Sequence, residues 1–153
     1  MRNSAAEGAE LGRLIVEQAP DAMIYADLEG VIRVWNASAT RVFGHTAEDA
    51  VGQNLDLIVP EQFRDAHWKG YDRALGEKKT KYEGRALPTR SVRADGETIY
   101  VELSFAIVLD GTGEPIGALA HARDITERRE QERASRARVR ELEEALAKAQ
   151  GAG

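Results

Sequence analysis

The run Tyr100-Val101-Glu102-Leu103-Ser104-Phe105 alternates between apolar and polar side chains. That period of two belongs to a strand with Val101, Leu103 and Phe105 on a core face and Glu102 and Ser104 on the other. It sits inside a strand-like segment from Glu97 to Val108, bracketed by turn chemistry. Asp95-Gly96 precedes it, and Asp110-Gly111-Thr112-Gly113-Glu114-Pro115 follows. Further strand-like segments lie on either side, Tyr82 to Val92 and Ile116 to Arg123. With a tight turn at the first junction and a longer loop at the second, these segments read as a three-strand meander.

The rest of the chain is read around that meander. Met23-Ile24-Tyr25-Ala26 and Val31-Ile32-Arg33-Val34-Trp35 are β-like runs joined by Asp27-Leu28-Glu29-Gly30, a hairpin pattern. The middle is helical: Asn36 is placed to cap a short helix through Phe43, and Thr46 to cap a second. Pro60 suits the first turn of a third helix, which carries Phe63, His67, Tyr71, Ala74 and Leu75 before Gly76 is expected to stop it. Met1 to Glu7 are expected to fray. Leu11, Leu14, Ile15 and Val16 then recur at helical spacing, ending near Pro20. After Asp124-Ile125-Thr126 the sequence becomes a charged helix in which Val139, Leu142, Leu146 and Ala149 are spaced 3, 4, 3. That makes a short a/d seam.

Several function classes drop out. The net charge of −5 gives no electrostatic basis for nucleic acid or anionic membrane as a partner. No apolar run approaches the roughly 20 residues that cross a bilayer, and the N-terminus lacks a signal pattern. A cytoplasmic protein is expected. The chain has no cysteine, which removes thiolate catalysis, cysteine-ligated metals and any chromophore bonded to a cysteine sulfur. No Ser-His-Asp arrangement, metal-ligand spacing or phosphate loop appears, so an enzyme is not expected.

Strand, strand, short helices, then a meander is an α+β order, and its wording resembles PAS domains. The matching pieces are Ala22-Met23-Ile24-Tyr25-Ala26-Asp27 with Gly30, Trp35-Asn36, Phe43-Gly44, Gly52, Asp95-Gly96 and Ala122-Arg123-Asp124-Ile125-Thr126-Glu127-Arg128. The resemblance covers about residues 17 to 129. It implies a PAS fold: a five-stranded antiparallel sheet with short helices on one face, plus an N-terminal amphipathic helix and a C-terminal helix. The expected division is a helical cap over 1–16, a sensor domain over 17–125 and a signalling or coiled-coil helix over 126–153.

Within that class the chain is most similar to haem-binding PAS oxygen sensors, of the nitrogen-fixation sensor kinase and direct oxygen sensor types. The shared residues are Pro60, Arg64, Ala66-His67, Tyr71, Glu83-Gly84 and Asp95-Gly96, with His67 falling 28 positions before Asp95 as it does there. The resemblance implies haem b, with His67 as the axial iron ligand. Phe63, Tyr71 and Ala74 share its helical face and are expected beside the porphyrin. Arg73 falls where the family has a basic residue near the propionates, and Tyr82 corresponds to a distal-pocket position.

The distal side departs from those relatives. Arg85 stands at a family methionine, and Leu87 stands at the arginine that contacts oxygen. Two outcomes stay open. Either Arg85, sharing a strand face with Glu83 and Leu87, turns inward to donate hydrogen bonds, or Leu87, Leu103 and Phe105 line an apolar pocket. His121 is not expected to bind iron, and His45 is expected to be exposed.

The implied function is a gas or redox sensor for O₂, CO or NO, homodimeric through its flanking helices and passing its signal to a downstream protein. The alternatives are a cofactor-free dimerisation module, in which His67 is an ordinary helix histidine, and a flavin-binding redox domain.

Overall fold

The computed structural model of the chain describes residues 4–80 and 85–151. Tyr82, Glu83 and Gly84 therefore lie outside the described residues. Five strands form one antiparallel sheet in the order β2-β1-β5-β4-β3. These are β1 (Ala22–Asp27), β2 (Ile32–Trp35), β3 (Leu87–Val92), β4 (Thr98–Leu109) and β5 (Pro115–Asp124). The expected meander is β3 to β5. Asp95 Oδ1 accepts from the Glu97 amide at the first turn, where Gly96 has φ 86°. Asp110 Oδ1 accepts from the Thr112 and Glu114 amides at the second.

One sheet face carries the core. Cross-strand partners Thr89↔Val101, Leu103↔Ala122 and Ala22↔Ala122 stand on the same side. The helices α2 (Ala37–Phe43) and α3 (Ala47–Ala50) cover that side at its β1–β2 end. Phe43 and Ala39 there join Ile24, Ile32, Trp35, Ile99 and Val101 in one buried cluster.

Asn36 ties this end together. Its side chain is buried and fully bonded: Oδ1 accepts from the Ala39 amide as the cap of α2 and from the Met23 amide, while Nδ2 donates to the Val16 and Asp21 carbonyls. Thr46 caps α3 in the same way.

Helix ends and strand starts differ from the sequence expectation in four places. Helix α1 (Ser4–Gln18) begins at Ser4 rather than after Glu7. Pro60 precedes a single 3-10 turn, Glu61–Phe63, before α4 (Arg64–Glu77) begins. Gly76 lies inside α4, and Lys78 instead takes the left-handed closing position at φ 60°. Its amide donates to the Ala74 and Leu75 carbonyls, closing the helix, and its ammonium pairs with Glu114 at 3.2 Å. Finally, β3 starts at Leu87, so Arg85 is exposed and precedes the strand.

Helix α5 (Thr126–Gly151) leaves the sheet's other face through the expected Asp124-Ile125-Thr126 junction. The Ile125 amide donates to the Tyr100 carbonyl, and the Tyr100 amide donates to Thr126 Oγ1. Arg128 pairs with Glu102 at 3.0 Å. Beyond that the helix stands clear: no α5 residue is buried, and Val139, Leu142 and Leu146 are exposed.

Candidate functional site

Helix α4 is pinned across the β1–β2 turn by two aromatic side chains one turn apart. Trp68 Nε1 donates to Asp56 Oδ1 at 2.8 Å, and its indole lies against Gly30, where a Cβ would collide with the ring. The Tyr71 hydroxyl donates to the Asp27 carbonyl at 2.6 Å. Burial pushes that phenol above its ordinary value, so it stays protonated as a donor. Arg64 secures the start of the helix by donating from Nε to the Val59 carbonyl.

His67 is held between these anchors. Its ring lies 4.9 Å from Trp68, edge-on at 78°, and 6.0 Å from Tyr71. The side chain is half-buried, and Nδ1 is buried with no hydrogen-bond partner among the described residues. Burial pushes the imidazole below its ordinary 6.5, with the Asp56 charge opposing part of the shift. A neutral imidazole with an uncommitted nitrogen is the form that ligates a metal. An unsatisfied buried ring nitrogen otherwise costs stability.

The sheet wall is apolar and opens progressively. Along the core face of β4, Val101 is 0% exposed, Leu103 is half-buried and Phe105 is 39% exposed. Leu87 pairs directly with Leu103, so the apolar trio expected from the alternation does stand on one face. Opposite it, β5 presents Ala118, Ala120 and Ala122, paired with Ile107, Phe105 and Leu103. That row of small side chains was not singled out in the sequence. Its signal was alanine at every second position.

Other expected positions fall differently. Phe63 does not pack toward His67; it is exposed, with the Arg90 guanidinium 5.5 Å from its ring centroid. Tyr71 spends its hydroxyl on the β1 carbonyls, so its role here is a tether between helix and sheet. Arg73 is exposed on α4 and has no ion pair among the described residues. Arg85 does not share a strand face with Leu87, because regular pairing starts only at Leu87. Tyr82 cannot be placed, being outside the described residues. His121 is exposed opposite Ser104, on the face away from the core. His45 is half-buried edge-on to Trp35 rather than exposed.

The residues present fit a haem in two respects: α4 offers a neutral imidazole whose Nδ1 has no partner among the described residues, and the core face of the sheet is apolar around Leu87 and Leu103. On the distal side, Leu87 and Leu103 offer no hydrogen-bond donor from their side chains.

The depressed imidazole has a pH consequence. Below about 6.5 the unfolded chain binds a proton at His67 that the folded chain resists, so stability rises with pH there. His67's contribution is complete above the unfolded value and is lost as pH falls through the lower folded value. Denaturant unfolding between about pH 7.5 and 5 is expected to show a shallower acid loss in His67→Gln than in the parent. Parallel curves would refute the assignment.

The PAS fold family model matches residues 10–125. Sensor protein FixL of Bradyrhizobium diazoefficiens is 32% identical over 134 residues, covering 88% of this chain and 25% of that protein. The chain thus spans about a quarter of that relative's length. Among solved structures, the PAS domain of a Colwellia psychrerythraea protein superposes with a TM-score of 0.68 at 21% identity, over 78% of this chain and 98% of that one. An RNA-binding Light-Oxygen-Voltage receptor superposes at 0.64, also 21% identical, over 86% of this chain and 36% of that one.

Proposed function

This chain belongs to the PAS fold family, and from that premise we propose that it is a haem-based gas or redox sensor module signalling through its flanking helices. The reading rests on one observation above the others: the half-buried His67 carries a buried ring nitrogen with no hydrogen-bond partner among the described residues. Haem b, when bound, supplies an iron that takes a diatomic gas such as O₂, CO or NO.

The chain's own residues do the rest. His67 offers a neutral nitrogen held in place by Trp68 and Tyr71. Leu87, Leu103 and Phe105 make the sheet wall apolar, and the β5 alanines keep the side chains beside it small. Arg73, on the exposed side of α4, is the cation for a propionate. Arg85, just before the strand, is a candidate for a distal donor. The output is carried by the Tyr100–Thr126 and Glu102–Arg128 contacts, through which a change in the sheet reaches α5.

The test is a titration of hemin into the full chain. A saturable, sharp Soret band at one equivalent is expected. A protein that takes up no haem, or one that purifies with flavin bands near about 450 nm, overturns the proposal. The Light-Oxygen-Voltage likeness is one of fold. The cysteine needed for a thiol–flavin adduct is absent from this sequence.

We further propose that the sensor acts as a homodimer. In the seam Val139, Leu142, Leu146, Ala149, the residues Arg138 and Glu143 flank the a/d positions. In a parallel pair, Arg138 of one copy faces Glu143 of the other. Ending the chain after Arg129 is expected to convert dimer to monomer in sedimentation. An unchanged mass would remove α5 from the interface.

A further inference from the structure

We propose that the pocket on the outer side of the sheet, where β3 and β4 meet the first turns of α5, binds a small dicarboxylate. The pocket is an open depression of about 240 Å³ lined by Phe63, Pro88, Thr89, Arg90, Tyr100 and Arg129. Arg90 and Tyr100 are direct cross-strand partners on the face opposite the core. This site shares no residue with the His67 side of the molecule.

Its chemistry is set by cations that lack counter-charges. Neighbouring arginines are neutralised: Arg93 by Asp95 at 3.9 Å, Arg123 by Asp21 at 3.0 Å and Arg128 by Glu102 at 3.0 Å. Arg90, Arg129 and Arg133 pair with no carboxylate among the described residues. In a chain of net charge −5, three bare guanidiniums around one tyrosine form a local positive field.

Each guanidinium is also oriented in advance. Arg129 lies 4.5 Å from the Tyr100 ring centroid, Arg90 lies 5.5 Å from that of Phe63, and Arg133 reaches the Tyr100 hydroxyl at 3.5 Å. Stacking fixes a planar fork that would otherwise lose side-chain entropy on binding. Because Arg90 and Arg129 are stacked on separate rings, two separated carboxylates suit them better than one compact anion. A short apolar spacer would lie on Phe63 and Pro88. Such a ligand would bridge an edge strand to the output helix, holding the base of α5 against the sheet.

The experiment is calorimetric titration of the full chain with succinate at low ionic strength, with amide exchange followed at the start of α5. Saturable binding is expected, with slower exchange in the first turns of α5. Arg90→Gln and Arg129→Gln are each expected to weaken binding by at least about tenfold. Arg136→Gln, an exposed charge loss elsewhere on α5, should leave binding unchanged. The proposal is overturned if succinate does not saturate, if Arg90→Gln/Arg129→Gln binds as the parent does, or if Arg136→Gln weakens binding equally. Inorganic phosphate binding more tightly than succinate would also overturn it.

Discussion

His67→Ala is expected to lower haem affinity by more than about 100-fold, since losing a partner that merely orients a ligand already costs about 10- to 100-fold. Removing the ligand itself must cost more. The variant should still fold. His67 makes no hydrogen bond through Nδ1 among the described residues, and its burial lowers the imidazole's proton affinity rather than strengthening any pair. Its removal therefore takes away an unsatisfied polar atom along with some packing against Trp68 and Tyr71. The haem-free melting temperature should change little while the Soret band is lost.

A second variant separates ligation from shape. His67→Gly opens room at the same position, and added imidazole is expected to restore the band. If His67→Ala binds hemin as the parent does, the iron ligand lies elsewhere and the sensor reading loses its foundation. If both variants lose the band and imidazole fails to restore it, His67 acts through packing alone.

What could be read without coordinates was local. Asn36, Thr46 and the Asp95-Gly96 turn act on amides a few residues away, so each declared its role in the sequence. The alternation from Tyr100 to Phe105 fixed which side chains share the core face. Contacts distant in sequence were not legible. Nothing in the chain announced that Trp68, the residue next to His67, rests on Gly30 or bonds to Asp56. Phe63 shares a helical period with His67, yet the 3-10 turn before Arg64 breaks the regular helix and leaves it beside Arg90. Arg85 precedes Leu87, the first paired residue of β3, so the strand's alternation does not extend to it. Lys78 rather than the nearby Gly76 takes the left-handed closing position of α4, and its ammonium reaches Glu114, far along the chain.

The Trp68–Gly30 contact is where fold and site are most tightly joined, and Gly30→Ala should expose it. Gly30 sits at φ +80°, and its missing Cβ is the space taken by the indole's outer carbons. An alanine there pays about 1–2 kcal/mol for the left-handed backbone. It also forces the indole to move, and overpacking of that kind costs about 1–3 kcal/mol. The ring cannot swing freely, because its Nε1 is bonded to Asp56 at 2.8 Å. Roughly 2–5 kcal/mol of lost stability follows, or about 10 °C in melting temperature for a chain of this length. Haem affinity should fall as well, since lifting Trp68 tilts α4 and carries His67 with it. The two contributions can be separated by a double-mutant cycle. With Trp68→Leu already in place the collision disappears, and Gly30→Ala should then cost only the backbone share. Equal costs in both backgrounds would mean that the indole does not occupy that space, and that something other than this contact holds His67 over the sheet.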